Sequence, residues 1–292
     1  MVQGRIAKLP RRAAVAVGGP EAERFLNDLV TNDISLVAPG QAGYGGLLTP
    51  QGKILFDFLV FRDAARFLFD LPKTVVSDFV KRLGFYKLRA DVEIEDLAAT
   101  HCVAAAWGSS QPPDLDGVIA PDPRLARLGY RLIVRADAAI AAIDHTTESQ
   151  AGYDAHRLAL GIPEGGMDFA YGEAFPHDAD MDQLGGVAFD KGCYIGQEVV
   201  SRMEHRGTAR RRIVHVSTTV PIPPPGTEII AGERPVGTIA SSLNHTGLAV
   251  VRLDRTKAAI DSGVPLVAQG IPVEIKIPDW ARFQWPNTTA QD

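Results

Sequence analysis

The chain has few cysteines, no long apolar run and no strong excess of charge of either sign. Cys102 and Cys193 are the only cysteines among 292 residues, and their wide separation provides neither a disulfide framework nor a CxxC motif. No stretch reaches the roughly 20 consecutive apolar residues that a membrane span needs. We therefore expect a protein of a reducing compartment, the cytoplasm, with no membrane as partner.

The balance of charge excludes a further class of partner. Thirty basic residues stand against 35 acidic ones, with a formal net charge of −5, so bulk electrostatics give no reason to expect nucleic-acid binding. Arg210, Arg211 and Arg212 form a basic triplet, but no aromatic-rich basic surface accompanies it, and we expect it at a domain junction or rim. The expected partner is a small molecule or another protein, and the chain is expected to be a monomer.

Residues 191–198, with the sequence KGCYIGQE, are the most informative segment. The apolar spacing that follows predicts a helix that begins near Gln197 and ends at Gly207. Cys193 then lies just before the helix N-terminus, where unpaired backbone N–H groups favour an anion, and Lys191 is close in sequence. This environment favours a reactive thiolate. The alternative is that Cys193 is a small, buried apolar residue.

Asp57 interrupts a strand that is otherwise apolar on both faces. The strand is predicted over residues 54–61, whose other side chains are Ile, Leu, Phe or Val. A strand covered on both sides is buried, and an unpaired charge there costs several kcal/mol. Asp57 is therefore either the partner of an arginine such as Arg66 or Arg89, or a pocket carboxylate suited to bind an amine or to move a proton.

The pattern of the whole chain indicates an α+β fold. Strands and helices alternate up to about residue 160, including a helix over residues 74–83 that ends at Gly84. Residues 108–123 are rich in proline, aspartate and glycine and are predicted to form a loop. After residue 210, short apolar runs between prolines and glycines predict a small antiparallel barrel.

Residues 164–186 form a long irregular segment. It carries His177, Asp178, Asp180 and Asp182, but one histidine with scattered aspartates lacks a metal-ligand spacing. We therefore expect a solvated loop rather than a metal site.

Several segments together resemble one protein family. They are residues 19–26 (GPEAERFL), 31–33 (TND), 48–60, 157–164, 191–198, 202–203 and 206–207. On these segments the chain resembles the YgfZ-type folate-binding proteins, relatives of the glycine-cleavage aminomethyltransferase, or T-protein. The resemblance implies a role in iron–sulfur cluster maturation, with tetrahydrofolate as the ligand.

The resemblance also implies an architecture. It is a three-domain, clover-like arrangement around a central channel, with two mixed α/β, ferredoxin-like domains and a C-terminal antiparallel β-barrel. Residues 1–46 and 152–209 would form a discontinuous first domain, residues 47–151 an inserted α+β domain, and residues 210–292 the barrel. The channel would hold tetrahydrofolate.

Matched residue by residue, the resemblance assigns roles in ligand binding. Asp57 falls on a T-protein aspartate that contacts folate, and Phe61 on a folate-contacting tyrosine, so the Phe61 ring would stack on the pterin without a hydroxyl. Phe56 and Ala159 replace two acidic residues of the T-protein, and losing a bidentate charged hydrogen bond costs roughly 2–3 kcal/mol. These departures disfavour aminomethyltransferase activity of the T-protein kind.

The expected function is that of a tetrahydrofolate-binding accessory protein that supports assembly or repair of iron–sulfur enzymes, with those enzymes or their assembly factors as partners. Cys193 and Asp57 are the expected chemically active residues, with Cys193 as a thiolate near the ligand or a transient contact to sulfur or iron. The other expected ligand contacts are Phe61, Lys191, Tyr194, Gln197, Glu198, Arg202 and Arg206. No resident metal is expected.

Two alternatives remain open from the sequence. The first is a folate-dependent, aminomethyltransferase-like one-carbon transferase with Asp57 as its base or electrostatic anchor. The second is a binding scaffold in which Cys193 is structural.

Overall fold

The computed structural model describes residues 4–64, 66–140, 144–207 and 209–286. Compactness divides the chain into unit 1, residues 1–154 and 184–198, and unit 2, residues 155–183 and 199–292. The three-domain division implied by the resemblance, and its arrangement around a channel, stay predictions. The boundary predicted after residue 46 falls inside a strand, Ala42–Leu48.

The described elements follow one another in mixed order. The strands are β1 (Arg5–Lys8), β2 (Arg12–Gly18), β3 (Ala42–Leu48), β4 (Ile54–Asp63), β5 (Arg66–Pro72), β6 (Glu93–Asp96), β7 (His101–Trp107), β8 (Gly117–Pro121), β9 (Tyr130–Arg135), β10 (Thr146–Glu148), β11 (Arg211–Ser217), β12 (Glu228–Ala231), β13 (Arg234–Leu243), β14 (Thr246–Arg252), β15 (Leu266–Ala268), β16 (Ile271–Pro272) and β17 (Glu274–Lys276). The helices are α1 (Ala22–Asn27), α2 (Val76–Lys87), α3 (Gln150–Ala159), α4 (Gln197–Arg206) and α5 (Leu253–Asp261). Within the described part of the chain, no helix combines the length and apolar character required to cross a membrane.

The first sheet of unit 1 has the strand order β3-β4-β5-β2-β6, and its strand pairs are antiparallel. On one face, Phe58 of β4 packs edge-on against Phe69, with 4.9 Å between ring centroids, and Phe56 packs against Phe79 of α2 at 5.5 Å. Full burial of one such ring contributes roughly 1.5–3 kcal/mol. Asp57 lies on the opposite face of β4, because successive side chains of a strand alternate.

The second sheet of unit 1 has the order β10-β1-β7-β9-β8. Its β1–β10 pair is parallel and the remaining pairs are antiparallel. The prediction of a loop over residues 108–123 is wrong in part, because β8 lies within this segment and pairs with β9 along its whole length. The local composition of turn residues does not outweigh this pairing.

Helix α2 extends beyond its predicted end. It continues through Gly84 to Lys87, and the next residue, Leu88, has φ 45° and ψ −99°. A glycine inside an exposed helix costs about 1 kcal/mol relative to alanine, which is tolerable when the rest of the helix is packed. Val76, Phe79 and Leu83 provide that packing, since all three are buried in the core.

Unit 2 is built on a seven-stranded sheet of order β16-β15-β12-β13-β14-β11-β17. All of its pairs are antiparallel, and β11 begins at Arg211, next to the predicted boundary. Short strands with alternating buried residues form its core, including Val214, Ile229, Ile239 and Val251.

Candidate functional site

Helix α4 begins at Gln197, as predicted, and residues 191–196, here called the cysteine loop, lead into it. Both cysteines are free thiols, and Cys193 is exposed whereas Cys102 is partly buried. The interpretation of Cys193 as a small buried residue is therefore wrong. The loop presents its thiol to solvent just before the first turn of α4.

Lys191 anchors one end of this loop to the last residue of α1 and to the segment that follows it. Its ammonium group donates hydrogen bonds to the carbonyl oxygens of Asn27 at 2.7 Å, Val30 at 2.8 Å and Asn32 at 2.7 Å. Burial lowers the pKa of Lys191 to about 8, against the opposing effect of nearby aspartates. The sequence suggested that Lys191 acts through its charge on Cys193, whereas its observed contacts tie down the backbone.

The other end of the loop rests on the turn between β3 and β4. Gly196 has φ +84°, and a Cβ there would lie 2.6 Å from the Thr49 carbonyl oxygen and 3.1 Å from the Gly52 Cα. An L residue would therefore meet both a rare backbone conformation and a steric clash. Gly192, by contrast, has no atom within 4 Å of such a Cβ. Backbone conformation and close contacts therefore explain the glycine at position 196 but not the glycine at position 192.

Tyr194 fixes the middle of the loop. Its side chain is 7% exposed, its ring centroid lies 5.5 Å from the Lys191 ammonium nitrogen, and burial raises its pKa to about 12. Ile195 packs against the core of unit 1. With its neighbours held in this way, Cys193 occupies a defined position at the surface.

Asp57 is buried, with 3% of its surface exposed. The Tyr44 hydroxyl donates a hydrogen bond to its Oδ2 at 3.3 Å. Burial, together with the negative charge of Asp57, raises the pKa of Tyr44, so the shared proton stays on the tyrosine. Of the two arginines considered as partners, Arg66 instead contacts Asp63 at 2.9 Å. The sequence did not identify Tyr44 as a partner of Asp57, because the Tyr44 hydroxyl reaches Asp57 only when β3 and β4 pair.

A buried network of charges joins the two sheets of unit 1 and was not predicted. Its ion pairs are Arg12 with Asp70, Arg131 with Asp70 at 3.3 Å, Arg131 with Asp122 at 3.4 Å, and Arg124 with Asp122 at 2.7 Å. The Tyr153 hydroxyl accepts from Arg131 at 2.7 Å. The Arg124 guanidinium lies 5.7 Å from the centroid of the Tyr44 ring, so the network extends to the residue that holds Asp57. Asp70 and Arg131 carry the sequence signal that marked Asp57, a charge within an apolar strand.

The remaining predicted contacts differ in exposure. Phe61 is fully buried, so its ring offers no exposed face for stacking in this structure. Gln197 is half-buried, and Glu198, Arg202 and Arg206 on α4 are exposed. Arg202 and Arg206 are one turn apart and share a face of the helix.

Within the segment of residues 164–186, His177, Asp180 and Asp182 are buried, so the solvated-loop prediction is wrong for these residues. Arg212 makes two hydrogen bonds with Asp182, at 2.6 and 2.9 Å, and contacts Asp180 at 3.3 Å. Buried charge in this segment is thus neutralised by an arginine of β11. Burial, with repulsion from Asp182, raises the pKa of Asp180 despite Arg212.

A cavity of about 410 Å³ lies beside this cluster in unit 2. It is lined by residues that include His177, Glu204, Arg210, Arg212 and Phe283. Possible ligand atoms of His177, Asp182 and Glu204 lie within 4.8 Å of one another. Both Asp182 oxygens accept from Arg212, however, and the positive charge of Arg212 disfavours a cation there.

Comparison with known proteins identifies the family. Residues 11–144 match the family model described as the GCVT N-terminal domain, and residues 210–283 match the CAF17 C-terminal beta-barrel domain. The mitochondrial iron-sulfur cluster assembly factor IBA57 of Mus musculus is 30% identical in an alignment that covers 96% of this chain and 85% of the mouse protein. The chain belongs to the IBA57 family. The human IBA57 protein is 28% identical, over 97% of this chain and 85% of its own length.

Other comparisons extend the family relationship and the fold. An IBA57 homologue of Mycosarcoma maydis is 33% identical in an alignment that covers 77% of this chain and 60% of the fungal protein. The crystal structure of the glycine cleavage system aminomethyltransferase T from Bartonella henselae superposes with a TM-score of 0.74 at 17% identity, over 97% of this chain and 88% of that one. The α+β fold with a C-terminal antiparallel barrel is thereby confirmed. The predicted resemblance is confirmed at the level of the T-protein superfamily.

Proposed function

We propose that this member of the IBA57 family supports the assembly or repair of iron–sulfur proteins through Cys193, with a reduced folate as its ligand. The observation that carries the proposal is the exposed thiol of Cys193 on a loop fixed by Lys191, Tyr194 and Gly196. A structural cysteine needs burial, whereas a cysteine that meets sulfur or iron on a partner needs access and a defined position.

The names of the relatives support the same role. The mouse, human and fungal IBA57 proteins are called iron-sulfur cluster assembly factors. An accessible thiolate can ligate iron. It can also attack the outer sulfur of a partner's persulfide, in which case the S–S bond breaks and the partner's thiolate leaves. Client enzymes or assembly factors are therefore the proposed partners, and Cys193 is the proposed point of contact.

The residues of unit 1 fit a reduced folate in part. Asp57 offers a carboxylate acceptor for a ring nitrogen of the ligand, and Tyr44 holds that carboxylate in place. We propose further contacts from Gln197 and Glu198. Arg202 and Arg206 supply exposed cations for the folate glutamate tail or for an acidic partner surface.

Two positions argue against one-carbon transfer of the T-protein kind. Phe56, at the place of a T-protein aspartate, is committed to the core through its contact with Phe79. Ala159 offers no acceptor to the pterin, and contact with the buried Phe61 would require the surrounding side chains to move. Binding without transfer is the proposed role of the folate. A transferase would instead show turnover of a methylene donor that Asp57→Asn abolishes and Cys193→Ala spares.

Complementation in cells that lack the protein tests the role of Cys193. We expect wild type and Cys102→Ala to restore iron–sulfur enzyme activities, and Cys193→Ala to fail although its melting temperature stays within about 2 °C of wild type, since an exposed side chain contributes little to stability. Cys102→Ala is the matched control because it removes the other free thiol. Full restoration by Cys193→Ala would remove the thiol from the proposal.

The location of the protein belongs to the same proposal. We propose a reducing compartment, because Cys102 and Cys193 are both unpaired. The sequence-based expectation is the cytoplasm, whereas the relatives carry the word mitochondrial in their names. Fractionation of cells that express a tagged chain distinguishes the two.

A further inference from the structure

We propose that the C-terminal end of α2 is a docking surface for an acidic, apolar segment of a partner protein. The surface, here called the α2 patch, consists of Lys81, Arg82, Phe85, Leu88 and Arg89. It lies outside the cysteine loop and the Asp57 site, and it does not depend on folate binding.

The first observation is exposed apolar area. Leu88 is 88% exposed, the highest value among the large apolar residues of the described chain. Phe85 is 74% exposed, and of the other such residues only Leu36, at 75%, is as exposed. Phe85 lies in the last turn of α2 and Leu88 directly follows the helix, so both belong to the same exposed end of the element. Paired exposed apolar residues of this size mark an interaction site more often than single ones do.

The second observation is backbone strain at Leu88. Its φ of 45° with ψ of −99° lies outside the regions that L residues normally occupy. The strain is not compensated by burial, because Leu88 is the most exposed of the large apolar residues. A strained residue held at the surface is a pattern found at binding sites.

The third observation concerns Gly84, which shares the helix face with Lys81, Phe85 and Leu88. A Cβ at Gly84 would meet no atom within 4 Å, so packing within the described chain does not explain the glycine. A glycine inside an exposed helix is unfavourable. It leaves a flat place beside the Phe85 ring where the backbone of a partner can approach closely.

Charge decides the kind of partner. Residues 81–89 contain Lys81, Arg82, Lys87 and Arg89 and no acidic residue. Elsewhere in the same unit, Arg62 contacts Glu23 and Arg66 contacts Asp63, whereas no ion pair of these four residues is found among the described residues. A second copy of the same patch would repel it, so the complementary occupant is acidic as well as apolar.

Selection of random peptides on the immobilised full chain tests the proposal. We expect peptides enriched on wild type, relative to the Phe85→Ser/Leu88→Ser double variant, to combine aspartate or glutamate with large apolar residues. The strongest peptide, measured by fluorescence anisotropy, should bind at least tenfold more weakly to that variant and to Lys81→Glu/Arg82→Glu. Leu243→Ser, which removes an exposed apolar residue of unit 2, should bind it unchanged.

Gly84→Ala provides a readout that a loss of folding cannot imitate. It should raise the melting temperature, because alanine favours the helix, and yet weaken peptide binding severalfold. The proposal fails if no peptide is enriched, if the enriched peptides are basic, or if Gly84→Ala leaves binding unchanged. Binding to phosphatidylglycerol vesicles in place of peptides, or a sedimenting dimer that Leu88→Ser dissociates, would overturn it in favour of a membrane or a second copy.

Discussion

Individual buried charges in unit 1 are stabilised by specific partners, and Asp122 shows this most clearly. Burial alone raises the pKa of a carboxyl group, but Arg124 and Arg131 outweigh it and lower the pKa of Asp122 to about 2. A carboxylate with a lowered pKa stabilises the folded state at every pH above its unfolded value, and this contribution disappears as pH falls through the folded value.

We expect Asp122→Asn to lower the free energy of unfolding by about 2 kcal/mol at pH 7, because the amide cannot pair with the two arginines. The difference from wild type should shrink between about pH 4 and pH 2, where the wild-type carboxylate takes up its proton. Urea unfolding over this pH range measures it. Asp254→Asn, in a more exposed pair with Arg252, should cost less than about 0.5 kcal/mol. A difference for Asp122→Asn that does not change with pH would contradict this assignment.

Lys191 carries a second prediction at the scale of one residue. Lys191→Met leaves three carbonyl oxygens without their donor, so we expect faster hydrogen exchange across residues 191–196 and a loss of roughly 1–3 kcal/mol in stability. Lys257→Met removes a lysine from a surface pair with Asp261 and should change neither quantity measurably. Unchanged exchange in Lys191→Met would mean that the loop is held by other contacts.

At the scale of elements, the cysteine loop depends on its contact with the turn between β3 and β4. Gly196→Ala brings a Cβ within 2.6 Å of the Thr49 carbonyl oxygen, so we expect the loop to shift and iron–sulfur enzyme activities in complemented cells to fall. Gly192→Ala meets open space and should complement like wild type. Equal behaviour of the two variants would show that the position of the loop does not matter.

Element boundaries could be predicted where local signals agree. Helix α4 and strand β4 both begin at their predicted residues, because an apolar pattern and flanking turn residues coincide there. The end of α2 was predicted too early, because the tertiary packing of Leu83 outweighs the effect of Gly84. The strand β8 was not predicted, because its pairing with β9 outweighs the proline-rich composition of the segment. Sequence patterns report local preference, and these two elements are decided by contacts distant in sequence.

At the scale of the molecule, composition and pattern predicted the α+β class and the antiparallel C-terminal sheet. The two residues on which the proposed function rests, Cys193 and Asp57, were also visible, one as a thiol between glycines and the other as a charge in an apolar strand. Their partners were not visible. Tyr44 binds Asp57, whereas Asn27 and Thr49 hold the loop around Cys193 through Lys191 and Gly196. None of the three carries a signal of its own, because these contacts form only through the fold.

Contacts between residues distant in sequence also explain why the burial of the acidic segment of unit 2 was not predicted. His177, Asp180 and Asp182 have the composition of a surface loop, and nothing local shows that Arg212 will neutralise the two aspartates from another element. Long-range ion pairs of this kind decide whether an acidic segment is solvated or buried.

The most direct test of the central claim is calorimetric titration of the purified protein with tetrahydrofolate and its methylene and formyl forms, on wild type and Asp57→Asn. The asparagine keeps an acceptor for Tyr44 but removes the charge, and its melting temperature reports whether the fold is retained. We predict binding heat for at least one folate with wild type, and affinity at least tenfold weaker for Asp57→Asn. Absence of heat and of thermal stabilisation with all three folates, or equal affinity of the two proteins, would contradict the account.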